Sequence, residues 1–391
     1  MKRILFVDDE QQVLDGLQNL LRKQRKQWEM VFALGAEPAL VELGKASFDV
    51  VVSDMRMPGM DGAALLGKVK ELYPSTVRLI LSGHAEPDAV QRTLAVAHQY
   101  LSKPCDVELL RVVIERACNV QAMVDSSSIR ALVGRLDKLP SSPKAYFELT
   151  ELIHKPNCSV SAIAAVIESD SAMSIKMLQL VNSAYFGVGR KTTSISQAIN
   201  MLGLDLIRGL ALSAQVFVAL NSVRIQGFSA DDLQRSSLFT GELARKLIAD
   251  RTRTEEAFTA GMVCDIGQMV LAVGMPDLFG QAVRASKQSG APLSEAEHEL
   301  VGTTHAEVGA YLLGVWGIPY SIVEAVAYCH SPSTVASQAF DLVAVVHVAD
   351  ALVGHLTGRD RELRVDHALL ERLHVADELP GWIELAEHMC G

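Results

Sequence analysis

At 391 residues, 49% of them hydrophobic, the chain exceeds what one apolar core normally supports, so at least two domains are expected. A formal net charge of −10 argues against a phosphate-backbone binder, which needs clustered Lys and Arg to displace counterions, so DNA binding is not expected. Six cysteines without a CxxC pair or regular spacing read as reduced thiols, not as a disulfide framework or a zinc finger.

Met1-Lys2-Arg3 leads into a short apolar strand ending at Asp8-Asp9, not into the long apolar run of an export signal. Residues 1–123 then alternate strand-like runs with amphipathic segments. The runs are Ile4–Val7, Met30–Ala33, Val50–Ser53, Leu79–Leu81 and Tyr100–Leu101, and the alternation predicts a parallel, doubly wound α/β sheet. Periodicity lapses from Gln121 to Ser128, where Asp125-Ser126-Ser127-Ser128 reads as a hinge or a capped helix break, so residues 124–135 are taken as a linker. Beyond it, apolar residues recur at helical spacing, as in Ile163, Val166, Ile167 and then Met173, Met177, Leu180, Val181, which predicts an all-α second half. Helix starts are marked by Ser142-Pro143, Ser159, Asp170 and Ser194. An output domain is placed at 136–335, with residues 336–391 as C-terminal helices packed on it and broken at Pro380-Gly381. Apolar runs such as Leu210–Leu220 fall short of the roughly 20 residues that span a bilayer, so a cytoplasmic protein without membrane insertion is expected.

In a doubly wound sheet the loops at the carboxyl ends of the strands form the ligand crevice, and here they carry Asp8-Asp9, Asp54, Ser82 and Lys103. Three clustered carboxylates raise one another's pKa unless a cation offsets them, and oxygen ligands suit magnesium. Asp54 is the candidate nucleophile toward a phosphoryl donor, with Lys103 absorbing charge on the phosphoryl oxygens. The motifs Val7-Asp8-Asp9-Glu10, Asp54-Met55-Arg56-Met57-Pro58-Gly59-Met60-Asp61-Gly62, Ser82, and Tyr100-Leu101-Ser102-Lys103-Pro104 resemble the receiver domain of response regulators across the whole first domain. The resemblance implies a flavodoxin-like (βα)5 fold and Asp54 as phosphoacceptor. It also implies Mg2+ held with Asp8, Asp9, Asp54 and the Arg56 carbonyl, and a Ser82–Tyr100 switch in which Tyr100 turns inward as Ser82 moves to the phosphoryl group.

The second half is similar to the HDOD family, helical output domains related to HD-type metal phosphohydrolases, over roughly Leu136 to Pro332. The matching residues include Leu139-Pro140, Asp170, Leu180-Val181-Asn182-Ser183-Ala184-Tyr185-Phe186-Gly187, Gly261-Met262-Val263-Cys264-Asp265-Ile266-Gly267, His305-Ala306-Glu307-Val308-Gly309-Ala310 and His330-Ser331-Pro332. The HD metal set is degenerate here. Ser236 aligns where the first His falls, Cys264 replaces the His of the His-Asp pair, and Gln268 replaces a following Lys, while Asp265 and Asp350 remain. Losing two imidazoles removes a preorganised metal site, so no enzyme activity is expected of this half. The competing reading is a rebuilt zinc or iron site on Cys264, Asp265, His305, His330 and Asp350, against a core stripe of His305, Val308, Gly309, Leu312, Leu313 and Trp316. The stretch Asn182–Gly187 with Val188-Gly189-Arg190-Lys191 reads either as a partner-facing loop or as a helix end with its aromatics in the core.

These readings give a response regulator in which phosphoryl transfer from a histidine kinase to Asp54 changes the face around the fourth helix, fifth strand and fifth helix. That change switches a non-catalytic helical domain acting on a downstream signalling protein, with homodimerisation left open. The alternative is a receiver-gated metal phosphohydrolase acting on cyclic dinucleotides or other phosphodiesters.

Overall fold

A computed structural model describes residues 1–82, 96–103, 106–122, 124, 126–136, 139–141, 145, 148–149, 151–152, 159–182, 192–203, 217–219 and 225–390. The chain divides into two compact units: Met1–Lys138 with Gln179–Lys191 and Gly314–Ile318, and Leu139–Leu178 with Thr192–Leu313 and Pro319–Gly391.

The first unit is built on β1 (Lys2–Asp8), β2 (Trp28–Leu34), β3 (Val50–Asp54), β4 (Val77–Ser82) and β5 (Gln99–Ser102). All pairings are parallel and the order is β2-β1-β3-β4-β5. Each central strand is an apolar run because both of its faces are covered. Ile4, Leu5 and Phe6 of β1 and Val50 and Val51 of β3 have no exposed surface. The α-helices described between Met1 and Lys138 are α1 (Gln11–Leu20), α2 (Ala36–Lys45), α3 (Gly62–Leu72), α4 (Val107–Gln121) and α5 (Ser127–Arg135). Chain order reverses between β1 and β3, which opens a crevice over their carboxyl ends, where Asp8 and Asp54 are the last strand residues. Residues 83–95 between β4 and β5, where the fourth receiver helix is expected, and Pro104 lie outside the described residues.

Residues 124–135, expected to be a linker, are largely α5, and they belong to the first unit, which runs to Lys138. Ser126 caps the helix by accepting the Ile129 N–H at 3.4 Å. The attachment comes from Arg78 of β4, which is 1% exposed and donates to the carbonyls of Val96 at 2.6 Å, Thr76 at 3.2 Å, Pro74 at 3.4 Å and Gly134 at 2.7 Å. A buried guanidinium needs its donors satisfied, and the carboxyl end of α5 supplies an acceptor.

Among its described residues the second unit is helical apart from a short parallel pair, β6 (Leu139–Ser141) with β7 (Phe217–Ala219), which the helical periodicity did not anticipate. Ser159 and Ser194 cap their helices through the N–H groups of Ala162 and Gln197, as expected. Asp170, fully buried, accepts from Met173 N–H at 2.9 Å and from Gln234 Nε2 at 2.8 Å. Pro380-Gly381 lies in the first turn of the terminal helix Leu379–Cys390 and does not break it, since a proline there gives up an N–H with no intrahelical partner anyway. One segment, Arg251–Gly274, has the length and mean hydropathy (1.5) of a membrane span, contrary to the expectation that no run is long enough. It is two helices broken at Cys264-Asp265, and 89% of its apolar window is buried inside the protein. Ser142-Pro143 and residues 183–191, read from the sequence either as a partner-facing loop or as a helix end with its aromatics in the core, fall outside the described residues.

Candidate functional site

In the first unit, Lys103, one residue past β5, reaches back across the carboxyl ends of β1 and β3. Its ammonium donates to Asp8 Oδ2 at 2.8 Å and pairs with Asp54 Oδ1. The other Asp54 oxygen accepts the Arg56 N–H at 2.7 Å, and Asp8 Oδ1 accepts the Glu10 N–H at 3.0 Å. Asp8 and Asp54 are 2% and 6% exposed. Burial pushes the Asp54 carboxyl up, with Lys103 pulling the other way. Burial also works against the charged form of Lys103, but hydrogen bonds to Asp54 and Asp8 outweigh it and raise its pKa. Asp9 is exposed at the rim, as is Arg56. Three carboxylates served by one ammonium leave excess negative charge, so this all-oxygen donor set fits a hard divalent ion. Ser82 and Tyr100 are buried at 4% and 6%; burial pushes the Tyr100 phenol up, and a hydrogen bond to Ser82 pulls against it.

The second unit carries a denser charged cluster. Asp265 sits between the helices Thr254–Val263 and Ile266–Gly274, and Asp350 lies on the helix Leu342–Leu356. Arg359 joins them. Its Nη1 donates to Asp265 Oδ2 at 2.7 Å, and its Nη2 donates to Asp350 Oδ1 at 2.8 Å and to the Asp350 carbonyl at 3.0 Å. Gly354 makes room, since a Cβ there would collide with the guanidinium and with Asp360. On the other side, His305 meets three residues. Glu297 Oε2 accepts from both its backbone N–H at 2.8 Å and its Nδ1 at 2.6 Å, Asp265 Oδ1 lies 3.2 Å from its Nε2, and His330 Nε2 lies 2.7 Å away. Gly267 lets this happen, because a Cβ on it would strike the His305 carbonyl.

Burial disfavours the His305 imidazolium, but Glu297 and Asp265 overcome it and push the pKa up to about 10. Burial would raise Asp265, yet Arg359 and the imidazoles hold it well below the usual carboxylate range. His330, the solvent-facing member, is lowered by burial and by the adjacent His305 charge. Cys264 is fully buried and its thiol donates to the Gly261 carbonyl at 3.1 Å; burial pushes its pKa far up, so it stays a neutral thiol. Ser236 is buried on Ala230–Leu247, and no hydrogen bond among the described residues ties it to the cluster.

Of the residues singled out in the sequence, Asp265, His305, His330 and Asp350 therefore converge and Cys264 adjoins them as a thiol, while Ser236 is buried without a hydrogen bond to them among the described residues. Arg359 and Glu297 were missed. Arg359 follows an apolar helix in the charged tract Gly358-Arg359-Asp360-Arg361, which resembles a solvated turn, and Glu297 resembles one of several exposed helical glutamates.

Two family models match the chain: a response regulator receiver domain at residues 4–115 and an HDOD domain at residues 139–332. The chain belongs to the response regulators that join a receiver to an HDOD domain. The receiver domain of an HD-domain-containing protein from Pseudomonas fluorescens Pf-5 is 32% identical, covering 31% of this chain and 89% of that one, with a TM-score of 0.30. The MmoQ response regulator of Methylococcus capsulatus is 23% identical over 60% of this chain and 98% of that one, with a TM-score of 0.50, a likeness of fold. Among curated proteins, an uncharacterized Treponema pallidum protein is 24% identical over 70% of this chain and 53% of its own length. The regulator ZraR of Escherichia coli O157:H7 is 30% identical over 46% and 44%. The response regulator thus spans about half the length of these relatives.

Proposed function

We propose that this response regulator is switched by phosphorylation of Asp54, with a histidine kinase as donor, and that its HDOD domain acts through protein–protein interaction without catalysis. The reading rests chiefly on the Lys103 ammonium held between the buried carboxylates of Asp8 and Asp54. Asp8, Asp9, Asp54 and the Arg56 carbonyl would hold Mg2+, which would neutralise charge on the transferring phosphoryl oxygens. The Asp54 carboxylate attacks phosphorus, forming the acyl phosphate as the bond from phosphorus to the donor breaks. Lys103 stabilises the oxygens that gain charge, having two carboxylate partners between which to shift. Ser82 then donates its hydroxyl to the new phosphoryl group, loosening its contact with Tyr100. The domains are taken as residues 1–123, 136–335 and a terminal helical segment 336–391, with the receiver packing part of the intervening residues through Arg78.

The absence of catalysis in the HDOD half is supported by the Arg359 guanidinium between Asp265 and Asp350 and by the Cys264 thiol in place of an imidazole ligand. The reading is tested by incubating full-length protein with magnesium and acetyl phosphate. One hydrolysable phosphoryl group per chain is expected, absent from Asp54→Asn, with solution scattering that differs between beryllofluoride-treated wild type and Asp54→Asn. Identical scattering would remove the switch, and turnover of cyclic di-GMP by the pure protein would remove the non-catalytic assignment.

A further inference from the structure

We propose that His305, His330 and Asp265 form a binding site for one borderline transition-metal ion, Zn(II) or Co(II), on the HDOD domain, independent of the magnesium pocket of the receiver. The three ligand atoms converge. His305 Nε2 lies 2.7 Å from His330 Nε2 and 3.2 Å from Asp265 Oδ1, and His330 Nε2 lies 4.0 Å from Asp265 Oδ1. A tetrahedral ion with bonds of about 2.1 Å holds its ligand atoms roughly 3.4 Å apart, so the observed separations bracket what such an ion requires. Two imidazoles and a carboxylate are the donors such ions prefer.

Three further observations point to a ligand here. Asp265 Oδ1 is buried without a hydrogen-bond partner and faces both imidazole nitrogens, while its other oxygen is already taken by Arg359. His305 Nδ1 is fixed by the buried Glu297, an arrangement that orients Nε2 toward a metal and raises its basicity. Buried carboxylates also outnumber the guanidinium: among the described residues Asp265 and Asp350 share Arg359, while Glu297 is held by His305. Entry of the ion displaces the proton shared by the facing Nε2 atoms to solvent, by way of the exposed His330. The ion would tie together the Asp265 turn, the start of the helix His305–Val315 and the segment after Tyr320–Tyr328, leaving its solvent-side position for water or a partner's side chain.

The test is a cobalt(II) titration of chelator-stripped full-length protein, with magnesium in excess so that the receiver pocket does not contribute. Wild type and Asp54→Asn should each take up one equivalent, with the visible absorption of a low-symmetry, nitrogen-containing site and a rise in melting temperature. His330→Ala, at the exposed position where the fold is least dependent on the side chain, should lose at least tenfold in affinity while its circular dichroism and metal-free melting temperature stay as in wild type. No uptake by wild type, or uptake unchanged in both His330→Ala and Asp265→Asn, overturns the proposal. Because the titration reads metal and not phosphorylation, its failure leaves the Asp54 reading standing, and the reverse also holds.

Discussion

Replacing Arg359 by Met keeps most of the side chain's length and removes the one charge that Asp265 and Asp350 share. Those carboxylates are 2% and 4% exposed, so solvent cannot replace the guanidinium. Breaking a buried ion pair costs about 3–5 kcal/mol because the orphaned charge remains desolvated. The Arg359 side chain is 27% exposed, which lets water in from one side and places the expected loss near the lower end, about 3 kcal/mol. For a domain of this size each kcal/mol lowers the melting temperature by roughly 2–4 °C, so calorimetry of chelator-treated protein should find a drop of about 6–12 °C. Arg359→Lys should fall in between, because one ammonium cannot fork to both carboxylates. The pH dependence carries the same signature. In wild type Asp265 is held below its ordinary value, so its contribution is present above the usual carboxylate pKa and lost as pH falls through the lowered one. In Arg359→Met the stranded Asp265 carboxyl rises instead, so the deficit should shrink as the pH falls from neutral into the carboxylate range. A drop under about 2 °C, or a deficit independent of pH, would refute the view that the guanidinium is the structural cation of this site.

His305 carries the opposite sign. Its folded pKa of about 10 lies above the ordinary 6.5, so its contribution is full below about 6.5 and disappears as pH rises through about 10. Urea midpoints across that window should decline more steeply for wild type than for His305→Gln, and parallel slopes would contradict the Glu297 pairing. Arg78→Leu orphans the carbonyls of Val96, Thr76 and Gly134 and should cost about 2–4 kcal/mol, with α5 cleaved by limited proteolysis in the variant and protected in wild type.

The sequence alone determined the parallel receiver sheet, because its strands are apolar runs set between amphipathic helices. It also determined the acidic pocket, because a doubly wound sheet collects the ends of β1 and β3 at one crevice and the residues there are chemically explicit. Helix starts at Ser159, Asp170 and Ser194 were legible for the same local reason, a side-chain oxygen within reach of its own first turn. What followed from distant packing was not legible. The segment taken for a linker is helical and bound to the receiver because Arg78, 56 residues from Gly134, needs carbonyl acceptors in the interior. Two short strands in the helical half lie too far apart and are too brief to show an alternating pattern. In the HDOD cluster the sequence supplied Asp265, His305, His330 and Asp350, but not their charge balance. Only the tertiary structure brings Arg359 across 94 residues to Asp265 and buries Glu297 beneath His305, and with charges desolvated together it is the partner, not the residue type, that sets protonation.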